Sequence, residues 1–555
     1  MTLKTNPVEA AHSNERIFDY KNLILLTSLF FVAIASRTSN LNLPPIYDEL
    51  YHILSARGIS EFGFPKILSG SYQRSIEYTY FVHYIFELSG GHELYYGRLI
   101  SSSIPGSLSV VVLGGWVLKR FGIIEFFIAS FFMVFWKLGV DVSQFLRFYS
   151  IHGLFFLIAA ISFYELIETN RSLWYRMLLL IISMSFFALS AKLQIITLIG
   201  ASGAALWGYV IIFCKLPKNS LLKITIIITT TILIFLLYIA FLDKIYYLYN
   251  IFTSAPPTWT ADKFFYHREL RESYPALWPL FPALAAIALY KNKRAISFCI
   301  SIFVLSLLIQ SAGERKDLRF IYQVMPFLFI IWSASLAFII KISIYALYNS
   351  QKSIFSNSIK YENIIKIAIM IFCTSFFIIT NPSIKRSIWT ITGKDKGELL
   401  YQRRRDWSKA RKVINRYFKD HILITTHPMT AVYYIGDFDG VYNRNKKWEL
   451  MQSQEYLRTG NIGATGIMGL IDDRHGRPVA GEEIQLREMA ACQASFVFLT
   501  PPPEYSPVIM QLVKVLNEEG IQFSLIKRPE FVLVGWTGHG EQGNCGVVSR
   551  CVLPP

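Results

Sequence analysis

Charged residues are scarce in this chain: 17% of its 555 residues are charged and 53% are hydrophobic, with a mean hydropathy of +0.38. That scarcity excludes a soluble multidomain protein and makes a polytopic membrane protein the class to expect. Cysteine is scarce as well, with six residues and no paired CxxC spacing, which excludes thiolate zinc modules. Cys214, Cys299 and Cys373 lie in or beside apolar runs, and Cys492, Cys545 and Cys551 in the polar C-terminal third. In an oxidising compartment two of those last three could pair; all three reduced is an equal alternative. No interleaved basic and aromatic motif is present, so the excess of 55 Lys and Arg over 38 Asp and Glu, +17 in all, belongs to cytoplasmic loops and anionic lipid rather than nucleic acid.

What is there is a ladder of apolar runs. Residues 1–21 form a polar tail, too long and mixed in charge for a signal peptide, so the following run, NLILLTSLFFVAIAS, is expected to stay as an anchor with the tail in the cytoplasm. About eleven spans follow from the runs, including 94–118, 122–138, 145–167, 174–190, 193–213, 222–241, 276–290, 295–311, 320–340 and 363–380. Two long polar stretches, 38–93 and 243–275, become outer loops, the first with amphipathic helices at the interface. This alternation gathers the basic segments after even spans on one side, as the positive-inside rule requires. It makes 22–394 a transmembrane domain and leaves 395–555 outside. In that last part, DWSKARKVINRYF has helical periodicity, while HILITTHP, GVYN, MGLIDD, SFVFLT, FSLIKR and FVLVGW read as short strands. The alternation predicts a small α/β domain with a partly parallel sheet. It has no GxGxxG or P-loop, and no catalysis is assigned to it.

The chemistry centres on LNLPPIYDELYHILSAR, just after the first span. Pro44 and Pro45 end the preceding helix, and the spacing that follows predicts a short helix with Asp48 and His52 on one face. Acids at a membrane edge are usually functional, although Asp48 and Glu49 would equally suit the first turn of a helix as dipole partners. At the outer ends of the spans, against the positive-inside tendency, stand Arg98, Arg147, His267, Arg268, Arg271, Arg315, Lys316 and Arg319. Guanidinium groups gathered there suit an anionic ligand, phosphate above all. A carboxylate facing such a site fits group transfer from a phosphate-activated, lipid-borne donor: Asp48 deprotonates an acceptor hydroxyl while the cations stabilise the leaving phosphate. Glu49 would orient the acceptor or, with His52, hold a divalent metal ion, the one cofactor considered.

These residues resemble a known family. The DE pair after the first span, then YYGRLISSSIPGSLSVVVLGGWVLKRFG with Arg98, is similar to the polyprenyl-phosphate-sugar-dependent glycosyltransferases of the GT-C superfamily, in the branch holding protein O-mannosyltransferases and the lipid A aminoarabinose transferase. QFLRFYSIHGLFFLIAAISFYELI carries Arg147 and Tyr149, and KFFYHRELRESYPALWPL resembles that branch's second outer loop. ERKDLRFIYQVMPFLFI resembles a Lys-acid-x-Arg-Phe signature followed by a YxxxP span start at Tyr322. The resemblance covers roughly 20–340 and implies a GT-C fold, an inverting transfer and Asp48 in the catalytic acid position. It implies a polyprenyl-phosphate sugar donor and a glycolipid, polysaccharide or protein acceptor. The C-terminal part does not resemble a β-trefoil, which favours a glycolipid or envelope polysaccharide over protein. Residue usage rich in Ile, Lys and Phe fits a bacterial inner membrane. The alternatives are a lipid transporter or flippase without transferase activity, and a non-catalytic scaffold whose outer domain does the work.

Overall fold

In hydrocarbon every backbone N–H and C=O must find its partner within the protein, so apolar runs of this length become helices. The computed structural model describes residues 20–72, 74–169, 171–215, 262–313, 316–351, 380–394, 404–442, 474–477, 479–480, 486–487, 489–490, 494–502 and 507–538. Helix α1 (Tyr20–Arg37) leads to α2 (Tyr47–Phe62), a hairpin of β1 (Lys66–Ile67) and β2 (Gly70–Ser71), and α3 (Ile76–Leu88). Next come α4 (Glu93–Arg98), running through a π turn (Leu99–Ser103) into α5 (Ile104–Arg120), then α6 (Ile123–Val134) and α7 (Lys137–Val142). Then follow α8 (Tyr149–Glu168), α9 (Leu173–Leu193), α10 (Thr197–Lys215), α11 (Phe265–Ser273), α12 (Phe281–Lys291) and α13 (Lys293–Ala312). A 3-10 turn (Leu318–Val324) opens α14 (Met325–Gln351), and α15 (Pro382–Ile391) closes the bundle.

Seven of the described helices are long and apolar enough to cross a membrane, and α6 and α12 are shorter apolar helices. The expected spans 222–241 and 363–380 lie outside the described residues, apart from Thr380, as do residues 1–19, 243–261, MGLIDD, and the cysteines at 373, 492, 545 and 551. The helices pack on an aromatic core in which Phe132 stacks on Phe329 at 5.7 Å and Trp136 on Tyr322 at 4.8 Å. Gly203 lets α10 and α13 touch backbone to backbone; a Cβ there would meet the Ser301 carbonyl oxygen at 2.7 Å. The π turn has a local cause. Pro105 cannot supply a helical N–H and its ring crowds the preceding turn. Serines within it fasten the distorted stretch to the neighbouring 139–147 segment, Ser102 donating to Phe145 O at 2.5 Å and Ser103 to Ser143 O at 2.7 Å.

At one end of the bundle the acids pair with Lys and Arg near the surface: Glu165 with Lys119 and Arg120, Glu168 with Arg294, Glu125 with Lys341. The opposite end carries α2, α3 and α11.

The C-terminal domain contains α16 (Ser408–Tyr417), β3 (Ile422–Thr425), α17 (Pro428–Ile435), β4 (Gly440–Tyr442), β5 (Val479–Ala480), β6 (Ser495–Thr500), α18 (Pro507–Glu518), β7 (Phe523–Lys527) and β8 (Val532–Thr537). Its sheet runs β5-β4-β3-β6-β8-β7, the first four strands parallel and the last two pairings antiparallel. Alternating residues serve two cores. Phe496, Phe498 and Val534 meet Leu512 and Val515 of α18, while Leu423, Val497 and Leu533 meet Ile414 of α16 and Ala431 of α17. This is the three-layer, partly parallel arrangement that the strand and helix periodicities predict, with β5 an addition they did not signal.

Candidate active site

Pro44 and Pro45 stop the chain that leaves α1, and α2 starts at Tyr47 with its first turn aimed into one end of the bundle. Glu49 turns inward. Its carboxylate accepts from the amides of Ile46 (2.8 Å) and Leu146 (2.6 Å) and from Arg98 twice, Nε at 2.8 Å and Nη2 at 2.7 Å. Arg98 also donates to the carbonyls of Leu41 (2.7 Å) and Leu43 (2.6 Å). Neither side chain of the pair reaches solvent, at 0% exposure each. Burial alone would push the Glu49 carboxyl up; the Arg98 charge and its hydrogen bonds outweigh that and hold it below the ordinary carboxylate value. Glu49 and Arg98 therefore form a clamp tying α2 to the start of α4–α5 and to the 145–147 loop.

One position earlier, Asp48 faces the other way. Its Oδ2 accepts from Arg319 Nη1 at 2.7 Å and lies 3.9 Å from Arg147 Nη2, while Arg147 Nη1 donates to the Asp48 carbonyl at 2.8 Å. The Asp48 side chain keeps 21% exposure, against 2% for Arg147 and 13% for Arg319. Arg319 is aimed by Asp317, which caps the 3-10 turn by accepting from Arg319 N at 2.9 Å and takes Nε at 2.8 Å and Nη2 at 2.5 Å. Tyr266 from α11 donates its hydroxyl to the Asp317 carbonyl at 3.1 Å, fastening α11 to this turn. The Tyr149 ring lies 5.7 Å from the Arg319 guanidinium and 5.8 Å from that of Arg147, and Arg74, just before α3, lies over Phe148 at 5.7 Å. Burial works against the Arg147 charge, but Asp48, Tyr72 and Tyr149 together outweigh it and hold the guanidinium above its ordinary value.

The sequence-selected residues thus divide. Asp48, Arg147, Tyr149 and Arg319 come together. Glu49 and Arg98 are brought together too, but buried and spent on each other rather than turned toward a substrate. Lys316 is directed elsewhere: its ammonium donates to Gln310 O at 3.0 Å, Ser311 O at 2.6 Å and the Gly313 carbonyl, closing the end of α13. Tyr322 packs in the core on Trp136, away from the carboxylate. On α11, His267 accepts from Trp278 Nε1 at 2.9 Å, Arg268 pairs with Asp262 at 2.5 Å, and Arg271 is exposed. Arg315 lies outside the described residues.

The pairing of Glu49 with His52 around a metal ion does not form. Glu49 oxygens are taken by Arg98 and two amides, and His52 Nδ1 is 2.9 Å from Thr79 Oγ1 inside a box of Tyr72, Tyr78 and Phe148. Among the described residues no group of three or more His, Cys, Asp or Glu is arranged to hold a metal. Burial, then the Arg147 charge, drive the His52 imidazole well below its ordinary value, so it stays neutral. Sequence reasoning missed Arg74, Asp317 and Tyr266. Asp317 could have been found, as the acid of the KDLRF motif; Tyr266, one aromatic among many, carried no signal.

The C-terminal domain rests on the remaining face of α2. Arg404 donates to Pro44 O at 2.8 Å, Arg474 donates to the Tyr51 hydroxyl at 3.1 Å, and Arg57 lies over the Tyr433 ring at 5.1 Å.

No family model matches this chain, and no curated protein sequence does. Solved structures do match. One is the lipid A aminoarabinose transferase ArnT from Cupriavidus metallidurans bound to undecaprenyl phosphate, at a TM-score of 0.56 and 12% identity over 93% of this chain and 98% of that one. Another is the oligosaccharyltransferase AglB from Archaeoglobus fulgidus with an inhibitory peptide and a dolichol-phosphate, at 0.50 and 11% identity over 94% and 74% of the two chains. Its apo form matches at 0.54 and 10% identity over 92% and 74%. At such identity the likeness is one of fold, and the fold is that of the GT-C superfamily.

Proposed function

We propose that this chain, a multi-pass membrane protein with the GT-C fold, is an inverting glycosyltransferase that moves a sugar from a polyprenyl-phosphate donor to an acceptor hydroxyl on the outer face of the membrane. The observation that carries the reading is one partly exposed carboxylate, Asp48, between the guanidiniums of Arg147 and Arg319, with Arg74 nearby on the same aromatic wall. Asp48 takes the proton of the acceptor hydroxyl as its oxygen attacks the anomeric carbon. The bond to the donor phosphate oxygen breaks, the lipid phosphate leaves with that electron pair, and the configuration at the carbon inverts. Guanidinium groups fixed beforehand stabilise the charge on the departing phosphate without reorganising. Before donor binds, Arg319 rests on Asp48; a phosphate accepting its Nη1 frees the carboxylate for the acceptor.

In this reading residues 22–394 hold the chemistry and 395–555 form an outer domain. The membrane is the bacterial inner membrane, with the N-terminus inside. A glycolipid or envelope polysaccharide is the favoured acceptor, because the C-terminal domain is an α/β sheet domain. The test is mass spectrometry of envelope glycolipids, polysaccharides and glycoproteins from cells carrying the wild type or Asp48→Asn. One sugar mass present only with the wild type is expected; identical glycans in both would overturn the proposal.

A further inference from the structure

Two short amphipathic helices at the Asp48 end of the bundle present a face that the site chemistry leaves unused. Helix α11 buries Phe265, Tyr266 and Leu270, and α15 buries Ser383, Ile384, Ser387 and Thr390, a helical spacing that turns one side of each inward. Hydrogen bonds hold those sides down. Ser383 donates to the hydroxyl of Tyr274, just past the end of α11, at 3.2 Å, and Ser39 and Asn40 donate to Thr390 O at 3.3 and 3.2 Å. The bond from Ser383 sets the two helices side by side, close enough for the Arg386 charge to act on Glu269.

Their opposite sides are open and uneven in composition. Phe264 is 73% exposed and Trp389 41%, with Lys385 Nζ 5.1 Å from the Trp389 ring centre. Around them stand six exposed cations, Lys263, Arg268, Arg271, Lys385, Arg386 and Lys394, against three acids, Asp262, Glu269 and Glu272. Asp262 is spent on Arg268. Among the described residues Arg271, Lys385, Arg386 and Lys394 are in no ion pair, whereas at the other end of the bundle Lys119, Arg120, Arg294 and Lys341 each meet a carboxylate. Both helices also abut apolar chain. Residues 274–280 lead from α11 into the apolar helix α12, and α15 follows the apolar run 363–380.

We propose that this face, built on Phe264, Arg271, Lys385, Arg386, Trp389 and Lys394, docks on the headgroups of anionic phospholipids in the surrounding leaflet. Exposed aromatic rings flanked by Lys and Arg, on amphipathic helices where apolar chain gives way to polar, have the composition of a membrane-surface contact. The rings settle at headgroup level while the cations meet the phosphates. A neutral lipid surface would leave those cations without counter-charge, and a soluble polyanion would leave Phe264 and Trp389 in water. The inference stands apart from the transferase reading, since it uses no residue of the Asp48 cluster.

The full-length protein in neutral detergent is titrated with short-chain phosphatidylglycerol brominated in its acyl chains, which quenches nearby indoles. Emission from Trp389 is taken as the difference between the wild type and Trp389→Phe. Saturable quenching is expected, far stronger than with the matching phosphatidylcholine. The triple substitution Lys385→Gln, Arg386→Gln, Lys394→Gln should raise the half-saturating mole fraction about fivefold for each charge lost, without a change in Tm. Lys385→Arg with Lys394→Arg should leave it in place, because the charge is kept. Equal quenching by the two lipids, or a half-saturation that the Gln variant leaves unmoved, overturns the assignment. So does displacement of the brominated lipid by polyprenyl phosphate at concentrations where unlabelled phosphatidylglycerol has no effect, because the face would then belong to a donor and not to the leaflet. If quenching behaves as expected while the wild type moves no sugar, the transferase reading falls and the lipid face stands.

Discussion

Helix α2 carries two adjacent carboxylates, and their surroundings differ in nearly every respect. Glu49 has no exposure and takes four donors, two from a single fully buried guanidinium. Asp48 keeps a fifth of its surface and shares its cations: Arg319 also serves Asp317, and Arg147 also holds the Asp48 carbonyl. Consecutive helical residues point about 100° apart, so one turn of helix serves the interior with one acid and the partly open side with the other. A buried pair with every lone pair taken holds structure in place; a partly open acid whose partners can change is fit for chemistry.

The sharpest way to break that contrast is Glu49→Ala. It strands a buried Arg98, a loss of about 3–5 kcal/mol for an ion pair stripped of one member, and should collapse the yield of folded protein in detergent. A variant with wild-type melting would remove the structural half of the comparison. Asp48→Asn should melt normally and lose about 10²–10⁴-fold in transfer, the usual share of a general base; near-normal turnover in the sugar-transfer assay would remove the other half. Arg319→Lys keeps the charge but loses the fork shared by Asp317 and Asp48, so transfer should drop about 10- to 100-fold, with folding intact; an unchanged rate would show that the fork is dispensable.

Acidity separates the two faces more gently. The His52 imidazole and the Glu49 carboxyl are both held below their ordinary values, so in each case the unfolded chain binds the proton more readily. Their stability is therefore present at neutral pH and is lost as pH falls, first below about 6.5 for His52 and then below about 4.3 for Glu49. Melting in detergent should drop through the first window in the wild type and flatten there in His52→Gln. The smallest expected effect is Tyr266→Phe, which removes one hydroxyl contact to Asp317, worth about 0.5–1.5 kcal/mol; a fall in transfer of a fewfold without a change in Tm would mark Tyr266 as a positioning residue for Arg319.

Much of this was legible in the chain. Apolar runs named the seven long helices among the described residues because lipid leaves the backbone no other choice, while 122–138 and 276–290 hold only the shorter α6 and α12, and Pro44-Pro45 with the spacing after it named α2. Short β-type runs alternating with helical segments named the C-terminal sheet. What could not be read was the division of labour between Asp48 and Glu49, since neighbouring acids look alike until packing decides which one meets Arg98. Lys316 belongs to the same class: a cation at a span end reads as a phosphate ligand, yet three carbonyls at the end of α13 lie nearer to hand. Asp317 was visible as a letter in KDLRF, but its role needs the turn that folds it back on Arg319. Tyr322 shows the reverse, a motif residue that packing on Trp136 draws into the core.

The π turn at Leu99–Ser103 means that the α4–α5 segment carries one residue more than an even helix of that length would hold. Deleting Ser102 would let the rod straighten, and everything upstream would swing through about 100° relative to the lipid-spanning half. Arg98 would then point off axis from its carboxylate, while the residues of α5 kept their places. A surplus peptide unit, costly on its own terms, acts here as a mechanical shim: it sets the rotational phase between the apolar half of the rod and the half that holds Arg98 against Glu49.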